Sequence, residues 1–109
     1  PALAAAMERN DAELVTCGMV MLEVCRGVRN TRLLERLNER FRLMLQLAST
    51  PQTWERATHL AWALDRQGRK LPAPDLLIAA CALQAGAAVY THDAHFHDIP
   101  GLHVIASLG

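Results

Sequence analysis

Three carboxylates of this chain stand where they could bind a metal ion. Glu23 lies in an otherwise apolar helical segment, so its side chain faces a cleft or the interior, unless it only pairs with Arg26. Asp75 falls in the first turn of a helix opened by proline, where the helix dipole alone would also favour a negative charge. Asp93 follows a short apolar strand, at the place where parallel sheets hold ligands, although an Asx turn would also explain it.

Carboxylates gathered at one place indicate a particular chemistry. Like charges repel unless a cation neutralises them, and hard oxygen ligands favour Mg²⁺ or Mn²⁺. Such a site suits phosphodiester hydrolysis, because the cation activates a water molecule and stabilises charge on the reacting oxygens. No serine or cysteine of the chain lies in a motif for a nucleophile-and-base mechanism. The three carboxylates therefore favour metal-dependent hydrolysis, provided that the fold brings them together.

A histidine-rich turn offers a different metal site. His92, His95 and His97 could bind Zn²⁺ or Ni²⁺. Histidines at these offsets in a tight turn rarely all reach one ion, and no nearby cysteine or second histidine pair would complete a tetrahedron. A set of polar turn residues is the simpler interpretation.

The carboxylates must be positioned by alternating strands and helices. Helical spacing of apolar residues, with capping residues and proline or glycine boundaries, predicts the helices, and short β-branched segments predict the strands. Trp54 and Trp62 have helical spacing and are interpreted as core. This order predicts an α/β domain with a parallel sheet. Because the predicted strands are too few for five helices to cover, we expect a further strand before Pro1. The predicted elements are a helix over residues 2–9, a strand over 14–17, a helix over 19–26, a helix capped by Thr31 and running through Leu45, a helix from 49–51 to Gly68, a helix from Pro74 to Gly86, and strands over 87–91 and 102–105.

Composition bounds the class of protein. At 109 residues and 51% hydrophobic content, the chain is long enough for one domain, which we expect to span residues 1–109. No apolar run has the length of a membrane span and no secretory signal opens the chain, so we expect a cytoplasmic protein without a membrane partner. Three cysteines without a C-x-x-C pair indicate buried thiols. The net charge is zero, yet ten of the eleven basic residues are arginine, which binds phosphate through its planar fork.

Several stretches of the chain resemble the PIN-domain ribonucleases, and among them the VapC toxins of bacterial toxin–antitoxin pairs. LPAPDLLIAA at residues 71–80 and GAAVYTHDAHF at 86–96 are similar to the family's D-x-x-I-A-A and T-x-D-x-x-F motifs. LEVCRG at residues 22–27 is similar to its x-E-x-x-x-G helix. The likeness covers nearly the whole chain.

This resemblance implies a fold and a function. The fold would be an α/β, PIN-like domain with a small parallel sheet and helices on both faces, here without the family's first strand and the metal-binding aspartate that ends it. The function would be that of a Mg²⁺- or Mn²⁺-dependent endoribonuclease toxin that cleaves RNA, forms a homodimer and is neutralised by a cognate antitoxin protein. Glu23, Asp75 and Asp93 would be the catalytic metal ligands, and Thr91 would orient them. A catalytically incomplete PIN-like interaction or RNA-binding module is the alternative.

The chain departs from the family pattern at one motif position. His95 stands where family members commonly have another aspartate, so it could ligate Mn²⁺, contact RNA or only shape the turn. Asp98 could partly replace the aspartate. The basic residues Arg26, Arg69 and Lys70 are interpreted as contacts to the RNA backbone.

Overall fold

The structure is a computed structural model that describes residues 6–8, 14–91 and 93–105. These residues form ten helices and strands. Strands and helices alternate, so the α/β class predicted from the sequence is confirmed. In chain order they are β1 (Ala6–Glu8), β2 (Leu14–Cys17), α1 (Gly18–Arg26), α2 (Thr31–Leu43), β3 (Leu45–Leu47), α3 (Pro51–Arg66), α4 (Ala73–Ala85), β4 (Ala88–Tyr90), a 3₁₀ helix (Ala94–Asp98) and β5 (Val104–Ile105).

The five strands form one sheet in the order β3-β2-β1-β4-β5. β2 pairs in parallel with β3, and β4 pairs in parallel with β5, with Val15 opposite Leu45 and Val89 opposite Val104. β1 lies between these pairs and is antiparallel to both, with Met7 opposite Val15 and Val89. The connection between β1 and β2 is residues 9–13, whereas a parallel crossover needs about a dozen residues or more, so these neighbours have to be antiparallel. The predicted parallel pairing is therefore found in the two outer pairs and is wrong for the central strand.

Two stretches predicted as helical are strands in the structure. Ala6–Glu8, inside the helix predicted over residues 2–9, is β1, and the rest of that stretch lies outside the described residues. Leu45, predicted to continue a helix, belongs to β3, because α2 ends at Leu43. In both cases pairing with a neighbouring strand outweighs the local helix propensity of alanine, leucine and methionine. The further strand expected before residue 1 stays a prediction.

Capping residues set the helix boundaries. Asn30, rather than the predicted Thr31, caps α2, because its side-chain oxygen accepts hydrogen bonds from two backbone N–H groups at 2.8 and 3.2 Å. Thr50 caps α3 in a reciprocal capping box with Thr53. α4 ends at Gly86, whose φ of 66° is in the left-handed region that favours glycine. The boundaries predicted for α3 and α4 are thus confirmed to within a residue or two.

Helix α4 lies at the centre of the core, buried without interruption from Asp75 to Ala82. It packs on α3, α1 and β4. α3 contributes Leu64 to the core, whereas Trp54 and Trp62, which we expected there, are 54% and 61% exposed. The two tryptophans share a helical stripe with Arg66, whose guanidinium carbon lies 4.6 Å from the centre of the Trp62 ring. The stripe faces outward because its charged end cannot be buried without a partner.

Two expectations from composition can be compared with the structure. The three cysteines are free thiols, with Cys17 and Cys81 buried and Cys25 partly buried. None of the described helices is both long and apolar enough to cross a membrane.

Candidate metal centre

Asp75, Asp93 and His95 come together at one place in the fold. One ligand atom of each residue lies within 4.8 Å of the other two. The His95 Nδ1 atom is 3.3 Å from Asp75 Oδ2 and 3.3 Å from Asp93 Oδ1. We call these three residues the acidic group. Two of the three carboxylates proposed from the sequence therefore converge.

Asp75 is positioned by α4. It lies in the first turn of that helix, and it is only 5% exposed because apolar residues surround it. Its place at the helix N-terminus puts the carboxylate near the positive end of the helix dipole. Since the helix that carries it is buried on all sides, Asp75 has a fixed position.

A short loop after β4 positions the other two members of the group. Thr91, fully buried, accepts a hydrogen bond at Oγ1 from the Asp93 N–H at 3.0 Å. Asp93 Oδ1 accepts one from the His95 N–H at 2.9 Å and so caps the 3₁₀ helix. The fully buried side chain of Phe96 anchors the same loop in the core. The turn-forming role considered for Asp93 and its place in the acidic group therefore coexist.

The surroundings of Asp75 raise the pKa of its carboxyl group. Burial is the largest cause, because a low-dielectric environment disfavours the charged form. The hydrogen bond with His95 acts in the opposite direction, and the negative charges of Asp93 and Glu23 add to the increase. A cation would relieve this accumulation of negative charge.

Glu23 lies beside the acidic group without joining it. Its Oε1 atom is 3.6 Å from Arg26 Nη1, one turn further along α1. The charge of Glu23 also raises the pKa of Asp75, although less than burial and the charge of Asp93 do. Glu23 therefore lies in the same region as Asp75. Glu23 thus forms the ion pair with Arg26 that the sequence offered as one interpretation. It also lies near the other carboxylates, as the second interpretation proposed.

Asp75→Asn is expected to stabilise the metal-free protein at neutral pH. Because the folded-state pKa of Asp75 lies above its ordinary value of 3.8, the folded protein holds this proton more tightly than the unfolded chain. The stability of the wild type should therefore fall as the pH rises through the folded-state pKa, while the amide has no such loss. Melting temperatures in chelator, measured from acidic to neutral pH, should diverge in favour of the variant. Asp65→Asn, at an exposed position of α3, is the control, and identical pH profiles for Asp75→Asn and wild type would contradict this account.

The other polar residues selected from the sequence lie outside the acidic group. Asp98 Oδ1 is 3.7 Å from Arg69 Nη1, and the Asp98 carbonyl oxygen accepts a hydrogen bond from the same nitrogen at 3.5 Å. Lys70 is exposed, and the Arg26 side chain is 69% exposed. The structure thus places Asp98 in an ion pair with Arg69, outside the acidic group.

The histidine-rich turn is described only in part. His92 lies outside the described residues, so the three-histidine site stays a prediction. Of the other two, His95 belongs to the acidic group, and His97 is exposed outside it.

Two cysteines form a separate pair of interacting groups in the core. Hydrogen bonds with Cys17 and Ser49 lower the pKa of Cys81 to about 7, although burial opposes the shift. The hydrogen bond with Cys81, followed by burial, raises the pKa of Cys17. Because both thiols are at most 2% exposed, a substrate cannot reach either of them.

Comparison with known proteins identifies the family. The sequence profile of the PIN domain matches residues 1–102. The chain belongs to the PIN domain family. Seven chains of solved structures also match, one of them in the crystal structure of VapBC2 from Rickettsia felis bound to a DNA fragment from their promoter. That chain is 19% identical to this PIN domain, with a TM-score of 0.74 over 85% of this chain and 74% of that one, so the two share a fold. A search of curated proteins gave no match.

The acidic group of this PIN domain fits the divalent metal that the family generally binds. Metal–ligand bonds of about 2.1 Å place adjacent ligand atoms about 3.0 Å apart in an octahedron and about 3.4 Å apart in a tetrahedron. The two 3.3 Å separations from His95 Nδ1 fall in this range. The His95 side chain is 52% exposed, so the group is open to solvent on that side.

Every member of the acidic group was selected from the sequence, but the role of His95 was left open. Its offset of two residues from Asp93 was visible, and the start of a 3₁₀ helix at Ala94 is what turns its side chain back onto the carboxylates. The exposed pair of Trp62 and Arg66 was missed. Its four-residue spacing, which puts a charged residue on the tryptophan stripe, could have indicated it.

Proposed function

We propose that this PIN domain is a VapC-type toxin, a metal-dependent endoribonuclease whose catalytic residues are Glu23, Asp75 and Asp93. The observation that carries the proposal is the convergence of Asp75 and Asp93. It occurs in a family whose members are generally metal-dependent nucleases. The likeness to a chain of the VapBC2 structure supports the toxin class.

The residues of the site have two roles, which are to bind the cation and to provide negative charge around it. When bound, a divalent cation supplies the Lewis acidity that makes water nucleophilic near neutral pH and stabilises charge on a phosphate. Asp75 and Asp93 would be the Mg²⁺ or Mn²⁺ ligands, and the burial of Asp75 keeps its carboxylate largely shielded from solvent. Thr91 keeps Asp93 in place through the Asp93 N–H. Glu23 adds a third negative charge near them and forms an ion pair with the exposed Arg26.

Three exposed basic residues, Arg26, Arg69 and Lys70, are proposed to bind the RNA backbone. Arg26 is one helical turn from Glu23, and Arg69 is tied to Asp98 at the end of the 3₁₀ helix. The ion pair with Asp98 is half exposed and therefore weak, so a phosphate can replace it. Lys70 follows Arg69 on the same exposed connector.

We also propose protein partners for this chain. One of the matching solved structures is of a VapBC2 complex, which supports a cognate antitoxin that neutralises the nuclease. A homodimer is proposed as well, with the cytoplasm as the site of action. Large apolar side chains exposed among the described residues support surfaces that partners cover, and they include Leu22, Leu33, Trp54 and Trp62.

A second candidate function is a binding module without catalysis. The observation in its favour is that the acidic group contains two carboxylates and a histidine, with the third carboxylate engaged by Arg26. Such a module would bind RNA or a protein through the same surface, but independently of a metal ion.

RNA cleavage with and without chelator tests the proposed function. We expect cleavage of a mixed RNA pool in Mn²⁺ or Mg²⁺, a decrease of about 100-fold or more in chelator, and recovery when the ion is returned in excess. RNA binding without cleavage, unchanged by chelator, would contradict the nuclease and favour the binding module.

A further inference from the structure

We propose that His95 is a metal ligand that makes this site selective for a first-row transition ion over Mg²⁺. The inference rests on the proposed metal-dependent function and deepens it, because it names the class of ion that the site takes.

The contacts of the His95 ring are not those of one ordinary hydrogen bond. Nδ1 carries at most one proton, yet it is 3.3 Å from an Asp75 oxygen and 3.3 Å from an Asp93 oxygen. A typical N–H···O bond is about 2.9 Å long, so both separations are longer than expected for a single well-formed bond. Equal separations of this size are instead close to the spacing of about 3.0–3.4 Å between neighbouring ligands of one ion.

The backbone that carries the imidazole is held in position by the protein. The backbone N–H of His95 donates to Asp93 Oδ1 at 2.9 Å, and the backbone N–H of Asp93 donates to Thr91 Oγ1 at 3.0 Å. The next residue, Phe96, is fully buried. The His95 backbone and the Asp93 oxygen therefore belong to one hydrogen-bonded loop, which the core fixes near Asp75.

A nitrogen donor changes the preference of the site. Mg²⁺ takes oxygen ligands and loses its water reluctantly, whereas imidazole is a good ligand for transition ions. Two carboxylate oxygens and one imidazole nitrogen hence favour a transition ion over Mg²⁺. Among the divalent first-row transition ions, Mn²⁺ generally binds such sites most weakly. The ratio of Mn²⁺ affinity to Mg²⁺ affinity is therefore a lower limit for the preference of the site for transition ions.

The rival explanation is that His95 occupies the cation's place. A protonated imidazole between two carboxylates would neutralise them and compete with a metal ion. The two explanations differ in sign. Removal of the side chain weakens metal binding when His95 is a ligand and strengthens it when His95 is a competitor.

The experiment compares wild type with His95→Ala, His95→Asp and a matched control, His97→Ala. His97 belongs to the same 3₁₀ helix, is exposed and lies outside the acidic group. Affinities for Mn²⁺ and for Mg²⁺ are measured by calorimetry, and pulsed electron paramagnetic resonance of the Mn²⁺ form detects a coordinated ¹⁴N. The resonance measurement on wild type needs no variant, so it holds even where a variant fails to fold.

We expect wild type to bind Mn²⁺ at least about 10-fold more tightly than Mg²⁺ and to show ¹⁴N coupling. His95→Ala should lose the coupling and about 10-fold of the Mn²⁺ affinity, His95→Asp should lose the preference for Mn²⁺ but keep binding, and His97→Ala should match wild type. Mn²⁺ bound without ¹⁴N coupling, or bound as tightly or more tightly by His95→Ala, would overturn the role of His95 and leave the nuclease proposal standing. Failure of wild type and all variants to bind either ion would overturn both proposals.

Discussion

Replacement of Asp75 by asparagine is expected to reduce metal-dependent RNA cleavage by about 1,000-fold or more, equivalent to about 4 kcal/mol of transition-state stabilisation. Asp75 is the most buried member of the acidic group, and an amide carries no charge with which to hold a cation there. Single-turnover cleavage of RNA, at a Mn²⁺ concentration that saturates the wild type, measures the combined loss of metal binding and catalysis.

The same substitution separates a loss of activity from a loss of folding. Because Asn removes a buried carboxyl group whose pKa is raised by burial, the variant should be at least as stable as the metal-free wild type. Added Mn²⁺ should raise the melting temperature of wild type and leave that of the variant unchanged. Asp65→Asn, at an exposed position, should keep full activity. If the cleavage rate of Asp75→Asn were within about 10-fold of the wild-type rate, Asp75 would not belong to the catalytic site.

Replacement of Phe96 by alanine is expected to destabilise the protein by about 3–5 kcal/mol. Phe96 is among the largest fully buried side chains, so its truncation removes buried apolar contacts and leaves a cavity in the core. Since a domain of this kind is stable by about 5–15 kcal/mol in total, the loss is a large share. Urea unfolding followed by circular dichroism gives the difference in the free energy of unfolding.

Phe96→Ala should also weaken metal binding, because Phe96 anchors the loop that carries Asp93 and His95. Leu43→Ala is the matched control, since Leu43 is 88% exposed, and it should change stability by less than about 0.5 kcal/mol. If Phe96→Ala were no less stable than Leu43→Ala, the loop would not depend on the core for its position.

The sequence predicted the parts of the molecule whose signals are local. The start of α4 follows from its proline and its end from Gly86, and an apolar run without polar interruption predicts a buried helix. The strand β4 and the turn after it follow from β-branched residues and from Asp93. Because these elements carry Asp75, Asp93 and His95, the place of the acidic group in the fold could be predicted from the sequence.

The parts that the sequence did not predict depend on distant contacts. β1 and β3 are each three residues long and contain residues that favour helices. They are strands because β1 pairs with β2 and β4 and because β3 pairs with β2. The outward position of Trp54 and Trp62 depends on which stripe of α3 meets α4, which helical spacing alone does not determine. The distance of Glu23 from the other carboxylates likewise depends on how α1 packs on α4.

A crystal structure of the protein soaked with Mn²⁺, with anomalous scattering recorded for manganese, tests most directly whether Asp75 and Asp93 hold a divalent cation. We predict an anomalous peak within bonding distance of a carboxylate oxygen of each residue, at about 2.0–2.3 Å, and none in Asp75→Asn. A peak elsewhere, or Mn²⁺ bound equally by wild type and Asp75→Asn, would show that these carboxylates are not the metal site.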